Sequence, residues 1–240
     1  MSALPPIIFE DELLLAFDKP SGLLIAPDRW DKEKTNLMDI VHAELSPEIF
    51  NAHRLDRDTS GLVLCAKTKA ALDDVCLQFE RGDVEKEYLA LVRGRAPLGA
   101  GEIAQDLAKD PERPGRMKAV HRGKSALTHY ETKESYRGWS LLRLRPQTGR
   151  THQLRVHLRV AGCPIVCDPW YGDGRPLLLS EIKRSYKPGR QPERPLLEHL
   201  ALHAQRLSFR HPRTGERTTI EAALPRDFEI AIKQLRRWAS

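Results

Sequence analysis

His53-Arg54-Leu55-Asp56-Arg57-Asp58-Thr59-Ser60-Gly61 runs without a break into Leu62-Val63-Leu64-Cys65-Ala66. Two carboxylates and two guanidinium groups fall within five residues, directly ahead of a segment with the composition of a buried strand. Polar clusters at the end of a rigid element are where reacting groups tend to be held. The run permits three readings. It can be a surface ion-pair cluster. Asp56 and Asp58 can be metal ligands for phosphoryl transfer, although guanidinium groups on both sides of Asp56 oppose a divalent cation. Asp56 can also be a nucleophile or base that a neighbouring cation keeps ionised.

Working outward, the 240 residues suffice for one large domain or two small ones. An apolar fraction of 40% and a charged fraction of 30% exclude a disordered chain. The net charge of +6, spread over arginines along the whole sequence, favours an anionic partner, with nucleic acid the leading candidate. Cys65, Cys76, Cys163 and Cys167 have neither zinc-site spacing nor the density of a disulfide framework, and read as buried reduced thiols. The N-terminal MSALPPIIFEDELLL lacks the pattern of a secretory leader. No apolar run approaches the ~18 residues of a membrane span. The expectation is a soluble, cytoplasmic protein.

Ile7-Ile8-Phe9 and Leu13 to Phe17 read as two short strands, followed by the turn Lys19-Pro20-Ser21-Gly22. Leu23 to Ala26 reads as a further extended run. Thr35-Asn36 can cap a helix carrying Leu37, Ile40, Val41 and Leu45, which Pro47 stops. Helical spacing recurs over Lys69 to Phe79, and Lys86 to Val92 reads as a strand. From Pro97 to Lys124 the chain is rich in glycine, proline and charge, which suits either a nucleic-acid-gripping arm or a solvated loop. Thr128 to Glu134 and Ser140 to Leu144 form a strand pair. Thr151 is placed to open a helix with Leu154, Val156, Leu158 and Val160, closed by Gly162. Ser180 to Pro195 reads as a surface loop, Leu200 to Phe209 and Thr218 to Ala222 as strands, and Asp227 to Trp238 as a closing helix. Strands in adjacent or meandering order favour an α+β fold with a mixed, largely antiparallel sheet.

The run from His53 to Lys67 closely resembles the signature of the RluA-type pseudouridine synthases. Further blocks agree in order: Lys19-Pro20-Ser21-Gly22-Leu23, Lys86-Glu87-Tyr88-Leu89-Ala90, Arg145 through His157, Asp168-Pro169-Trp170-Tyr171-Gly172 and Leu202-His203-Ala204. The resemblance implies a single pseudouridine-synthase-like catalytic domain over residues 1–240, its sheet flanked by helices and long loops. No separate N-terminal RNA-binding domain is expected. It implies an isomerase acting on structured RNA, ribosomal or transfer, as a monomer. The reaction breaks the bond between uracil and ribose, turns the base and rejoins it through a ring carbon. Being an isomerisation, it needs no redox cofactor, nucleotide or metal, and the chain has no dinucleotide or P-loop signature.

The resemblance also assigns parts. Asp56 matches the catalytic aspartate, Arg155 the arginine that keeps it charged, and Tyr88 the active-site tyrosine that stacks on uracil. Arg54 matches the arginine that fills the place of the flipped base, and Leu154 an apolar position against that base. Arg57 is grouped with the substrate-binding residues and, with Asp58, shapes the loop. Read without the family, Arg155 is a solvent-facing helix arginine and Tyr88 and Leu154 are core. His152 and His157 lie about 140° apart on a helix, which disfavours a shared metal, and His53 reads as a hydrogen-bonded structural residue. The rival of another class is a silent RNA-binding or chaperone protein on the same fold. A metal-dependent phosphodiesterase is a remote third.

Overall fold

The alternation of apolar and polar residues resolves into twelve strands and five helices in the computed structural model, which describes residues 3–27 and 34–240. First come β1 (Ile7–Glu10), β2 (Leu14–Lys19), α1 (Leu37–Glu44), β3 (Phe50–Asn51), β4 (Ser60–Ala66) and α2 (Lys69–Arg81). The middle of the chain is all strand: β5 (Glu85–Arg93), β6 (Ala100–Ala104), β7 (Leu107–Lys109), β8 (Met117–Ala119), β9 (Leu127–Tyr136) and β10 (Trp139–Pro146). Then follow α3 (Gln153–Val160), α4 (Leu179–Ile182), β11 (Leu202–Arg210), β12 (Arg217–Glu221) and α5 (Arg226–Trp238). These elements pack as two compact units, residues 1–87 with 203–223, and residues 88–202 with 224–240. Among the described residues no helix is long and apolar enough to cross a membrane.

In the first unit β1 pairs with β2 and β2 with β4, both antiparallel, while β11 runs parallel to β4. β12 extends β11 in antiparallel register from Arg206↔Glu221 to Arg210↔Arg217. All seven residues of β4 are buried, as befits a strand covered on both faces. Leu62, Leu64, Val75, Leu207 and Phe209 form the core. Helix α2 presents Ala71 and Val75 to it, begins where Thr68 Oγ1 accepts the Ala71 amide hydrogen, and stops at Gly82 in a left-handed conformation. Gly61 has φ +107°, and a Cβ there would sit 2.3 Å from the Ala204 carbonyl oxygen. Only glycine lets β11 approach β4 so closely at the end of the charged motif.

The second unit carries an antiparallel sheet in the order β5, β10, β9, β6. Leu91, Leu142, Leu144, Leu158, Ile165 and Val166 form its core, and α5 adds Phe228, Ala231, Ile232 and Leu235. Helix α3 is unusual in being buried at six consecutive positions, Gln153 to Leu158. A helix buried all round must find a partner for every polar side chain it carries.

The α+β class and the mixed, mostly antiparallel sheet agree with the sequence reading. Three expectations are corrected. Pro97 to Lys124 is not a loop: β6 joins the edge of the sheet and β7 pairs with β8 in a hairpin, with Leu107 wholly buried. Thr151 does not cap α3; His152 stands at its start with φ 53° and no side-chain cap. Leu23 to Ala26 forms no strand, only a bridge from Leu24 to Asn36. Cys65, Cys163 and Cys167 are buried free thiols, whereas Cys76 is half-buried. Burial pushes the thiols of Cys65 and Cys167 up to about 12.

Two imidazoles of the first unit are held neutral. His53 Nε2 accepts the Leu64 amide hydrogen at 3.0 Å, its ring 4.9 Å from that of Phe79, which bears out its structural reading. His203 Nδ1 lies 3.0 Å from Ser60 Oγ. Removal from water, aided at His53 by Lys86, lowers both to about 4 from an ordinary 6.5. Between those values the unfolded chain binds more protons than the folded one, so stability is full above pH 6.5 and falls as pH drops toward 4. Urea midpoints at several pH values should show this decline, and the double variant His53→Gln/His203→Gln should show a flatter one.

Candidate active site

The segment between β3 and β4 bears the charged motif, and backbone bonds set its shape. The Ala52 amide donates to Leu64 O at 2.9 Å and the Thr59 amide to Asp56 O at 3.2 Å, closing a turn at Arg57-Asp58. A second loop, Lys19 to Leu23, is pinned against it. The Gly22 amide donates to Arg57 O, Arg57 Nε donates back to Gly22 O at 3.1 Å, and Ser21 Oγ donates to Asp58 O at 2.6 Å.

Lys19 closes this clamp. Its side chain is wholly buried, and its ammonium donates to the carbonyls of Pro20, Leu23 and Arg57 at 2.8–2.9 Å. Burial draws its pKa down to about 7, against the pull of the Asp58 and Asp56 charges. The loop thus holds Leu55 and Thr59 inward while Arg54 and Arg57 are exposed and Asp56 is half-buried. A side chain held on a hydrogen-bonded backbone loses little freedom on meeting a ligand. Arg57 spends its Nε on the loop itself, which supports the shaping part expected of it beside substrate binding.

In the second unit Arg155 is 2% exposed, so the solvent-facing alternative does not hold. Its Nε and Nη2 donate to Asp168 Oδ2 and Oδ1 at 2.8 and 2.7 Å, a bidentate pair. Asp168 Oδ1 also accepts the amide hydrogens of Trp170 and Tyr171 at 2.9 and 3.0 Å. Burial raises the Asp168 carboxyl, but the Arg155 guanidinium and those amides outweigh it, and the pKa lies below the usual value. The guanidinium carbon stands 5.4 Å from the ring centre of Trp170 and 5.1 Å from that of Tyr171.

The backbone on either side of this pair is forced. His152 and Cys167, with φ 53° and 61°, are the non-glycine residues in the left-handed region among the described residues. One starts the helix that carries Arg155 and the other immediately precedes Asp168. Such conformations persist only where surroundings over-determine them. Here Tyr171 Oη, which takes the Met117 amide hydrogen at 2.8 Å, shares a second bond with His152 Nδ1 at 2.8 Å. Gln153 completes the helix start: its Oε1 accepts from Thr148 Oγ1 and the Arg150 amide, and its Nε2 donates to Leu127 O and Thr128 Oγ1. His157, the other buried polar residue of α3, bonds through Nδ1 with Thr128 Oγ1 and through Nε2 with Gln105 O.

Arg54, Asp56 and Arg57 therefore share one loop of the first unit. Tyr88, Leu154 and Arg155 belong to the second. Tyr88 lies half-buried on β5 opposite Leu144 of β10, and Leu154, 7% exposed, is core. Sequence reasoning missed Lys19, Gln153 and Asp168 as structural partners of the site. For Gln153 a signal existed: a polar residue inside a helix whose apolar positions already fill more than one face.

Residues 13–159 match the family profile described as RNA pseudouridylate synthase. The ribosomal large subunit pseudouridine synthase D of Neisseria meningitidis serogroup B is 36% identical over 235 residues, covering 96% of this chain and 61% of that protein. Synthase C of Haemophilus ducreyi is 33% identical over 243 residues, covering 96% of this chain and 69% of that one. Among solved structures, human RNA Pseudouridylate Synthase Domain Containing 4 aligns with a TM-score of 0.73 at 26% identity, over 96% of this chain and 92% of the human one. The chain belongs to the RNA pseudouridylate synthase family, in its RluA-type branch. It spans about three fifths of the length of its Neisseria relative.

The ion pair makes a stability prediction. Each side chain is the other's bidentate partner in a buried pair, so Arg155→Met or Asp168→Asn should each cost about 3–5 kcal/mol in urea unfolding. The double variant Arg155→Met/Asp168→Asn should cost less than the sum of the two, by more than about 1 kcal/mol.

Proposed function

We propose that this protein isomerises uridine to pseudouridine in structured RNA. Asp56 is the reacting carboxylate in this reading, Tyr88 and Arg155 are its catalytic partners, and Arg54 and Arg57 contact substrate. The glycosidic carbon–nitrogen bond breaks, the freed uracil turns, and a bond forms from the ribose carbon to a carbon of the ring. The hydrogen displaced from that carbon is balanced by one gained on nitrogen, so no atom or electron enters or leaves. The names of the Neisseria and Haemophilus relatives favour large-subunit ribosomal RNA over transfer RNA as substrate. The two units act as one catalytic domain, as a monomer in the cytoplasm.

The observation that carries this reading is the clamped loop. A binding protein has no need to fix Asp56 between a wholly buried strand and a turn locked by Lys19, Ser21 and Arg57. The exposure of Arg54, two residues before Asp56, supports a part for it in entering the gap left when a base is drawn from its stack.

Asp56→Ala should abolish pseudouridine formation, read by mapping of modified sites in a large-subunit ribosomal transcript, while RNA affinity stays within about threefold. Persistent turnover by that variant sinks the assignment, and binding without product by the unmodified protein leaves the silent RNA-binding alternative. Because unstacking costs a few kcal/mol, Arg54→Ala should lose at least tenfold more activity on the folded target than on a short unstacked RNA. Equal losses on both would remove Arg54 from base flipping.

A further inference from the structure

We propose that a cleft on the second unit, between the β7–β8 hairpin, the C-terminal half of α3 and the turn at 169–172, is a subsite for an RNA nucleotide other than the one that reacts. This rests on the RNA-substrate reading above. The cleft encloses about 370 Å³, room for one nucleotide. Arg113, Arg116, Lys118 and Arg159 line it, with Asp110 the acidic residue among them. Like charges gathered round one cleft repel one another, and an anion such as a phosphodiester relieves that repulsion.

The apolar part of the lining suits a base. Val156 and Tyr171 are buried, Met117 is half-buried, and Trp170 is 37% exposed, so part of its indole is open to a ligand. Cations beside an aromatic face are how single-stranded RNA is gripped, the base stacking while the backbone is neutralised. One of the cations is already in position: Arg116 Nη1 donates to Trp170 O at 3.0 Å and its guanidinium carbon stands 5.5 Å from the indole centre. The same indole carries Arg155. A nucleotide in the cleft therefore touches a residue that contacts the Arg155–Asp168 pair.

The test uses the full chain carrying Asp56→Asn, so that nothing turns over, and a large-subunit ribosomal transcript titrated at several salt concentrations. Adding Lys118→Glu and Arg159→Glu should weaken Kd at least tenfold. The slope of log affinity against log salt should become shallower by about 1.4, since each single-strand phosphate that is no longer neutralised accounts for ~0.7. The charge-matched control Arg81→Glu/Arg175→Glu should change Kd less than threefold. An unchanged Kd and slope, or an equal weakening in the control, overturns the subsite. It would also assign the cleft to an acidic protein or to no partner.

Should the glutamate pair fail to fold by circular dichroism, Lys118→Gln/Arg159→Gln takes the same measurement. Ultraviolet crosslinking should attach RNA to peptides containing Met117 or Trp170, and crosslinks confined to other peptides overturn the proposal. The two readings separate cleanly. If the unmodified protein makes no pseudouridine but loses RNA with the cleft variants, the isomerase reading fails and the subsite stands. If it makes pseudouridine and the variants bind like their parent, the subsite alone fails.

Discussion

The Arg155–Asp168 pair is the constraint around which the second unit is arranged. Two opposite charges have been taken out of water, and their attraction offsets the desolvation only because both oxygens of Asp168 and two nitrogens of Arg155 are engaged. The Asp168 carboxylate, through the amides of Trp170 and Tyr171, also shapes the turn that supports the guanidinium. That circular dependence is why an apolar pair of similar volume would not be equivalent: it would leave the Trp170 and Tyr171 amides without their acceptor. What it secures is the direction of one arginine, on a helix whose other buried polar residues, Gln153 and His157, are equally tied.

In the first unit the corresponding fixing comes from backbone carbonyls gathered on one buried ammonium. Asp56 stands half-buried while the chain on both sides of it is held by hydrogen bonds. Its loop has no regular structure of its own, so the hydrogen bonds that helices and strands make internally come from the turn at Lys19 to Leu23. A buried ammonium is costly, but its three donors meet three carbonyls at the point where two irregular segments touch.

Much of this was legible in the residues. β4 announced itself as an apolar run bounded by charge and glycine, α2 by apolar spacing between Thr68 and Gly82, and the site by blocks that resemble a known family. What could not be read shares a cause: each case depends on a partner distant in sequence or on a conformation that the residue type does not favour. Asp168 comes to Arg155 across a left-handed Cys167, and no spacing rule foresees that. His152 begins a helix without a cap because Tyr171 holds its ring. The β6 to β8 segment was hidden by its glycines, prolines and charges, though Ile103 and Leu107 already marked apolar positions within it.

The thiols show what so much packing does to reactivity. Cysteine is attacked by oxidants as thiolate, and Cys65 and Cys167 are both buried and pushed up to about 12. Cys76, the most accessible, is also raised, by burial and the charges of Asp73 and Glu80. Cys65 fills space in the core, while Cys167 and Cys76 donate to the carbonyls of Leu197 and Ala52 at 3.3 and 3.6 Å. At neutral pH little of the Cys65 and Cys167 sulfur is therefore thiolate, the form that oxidants attack.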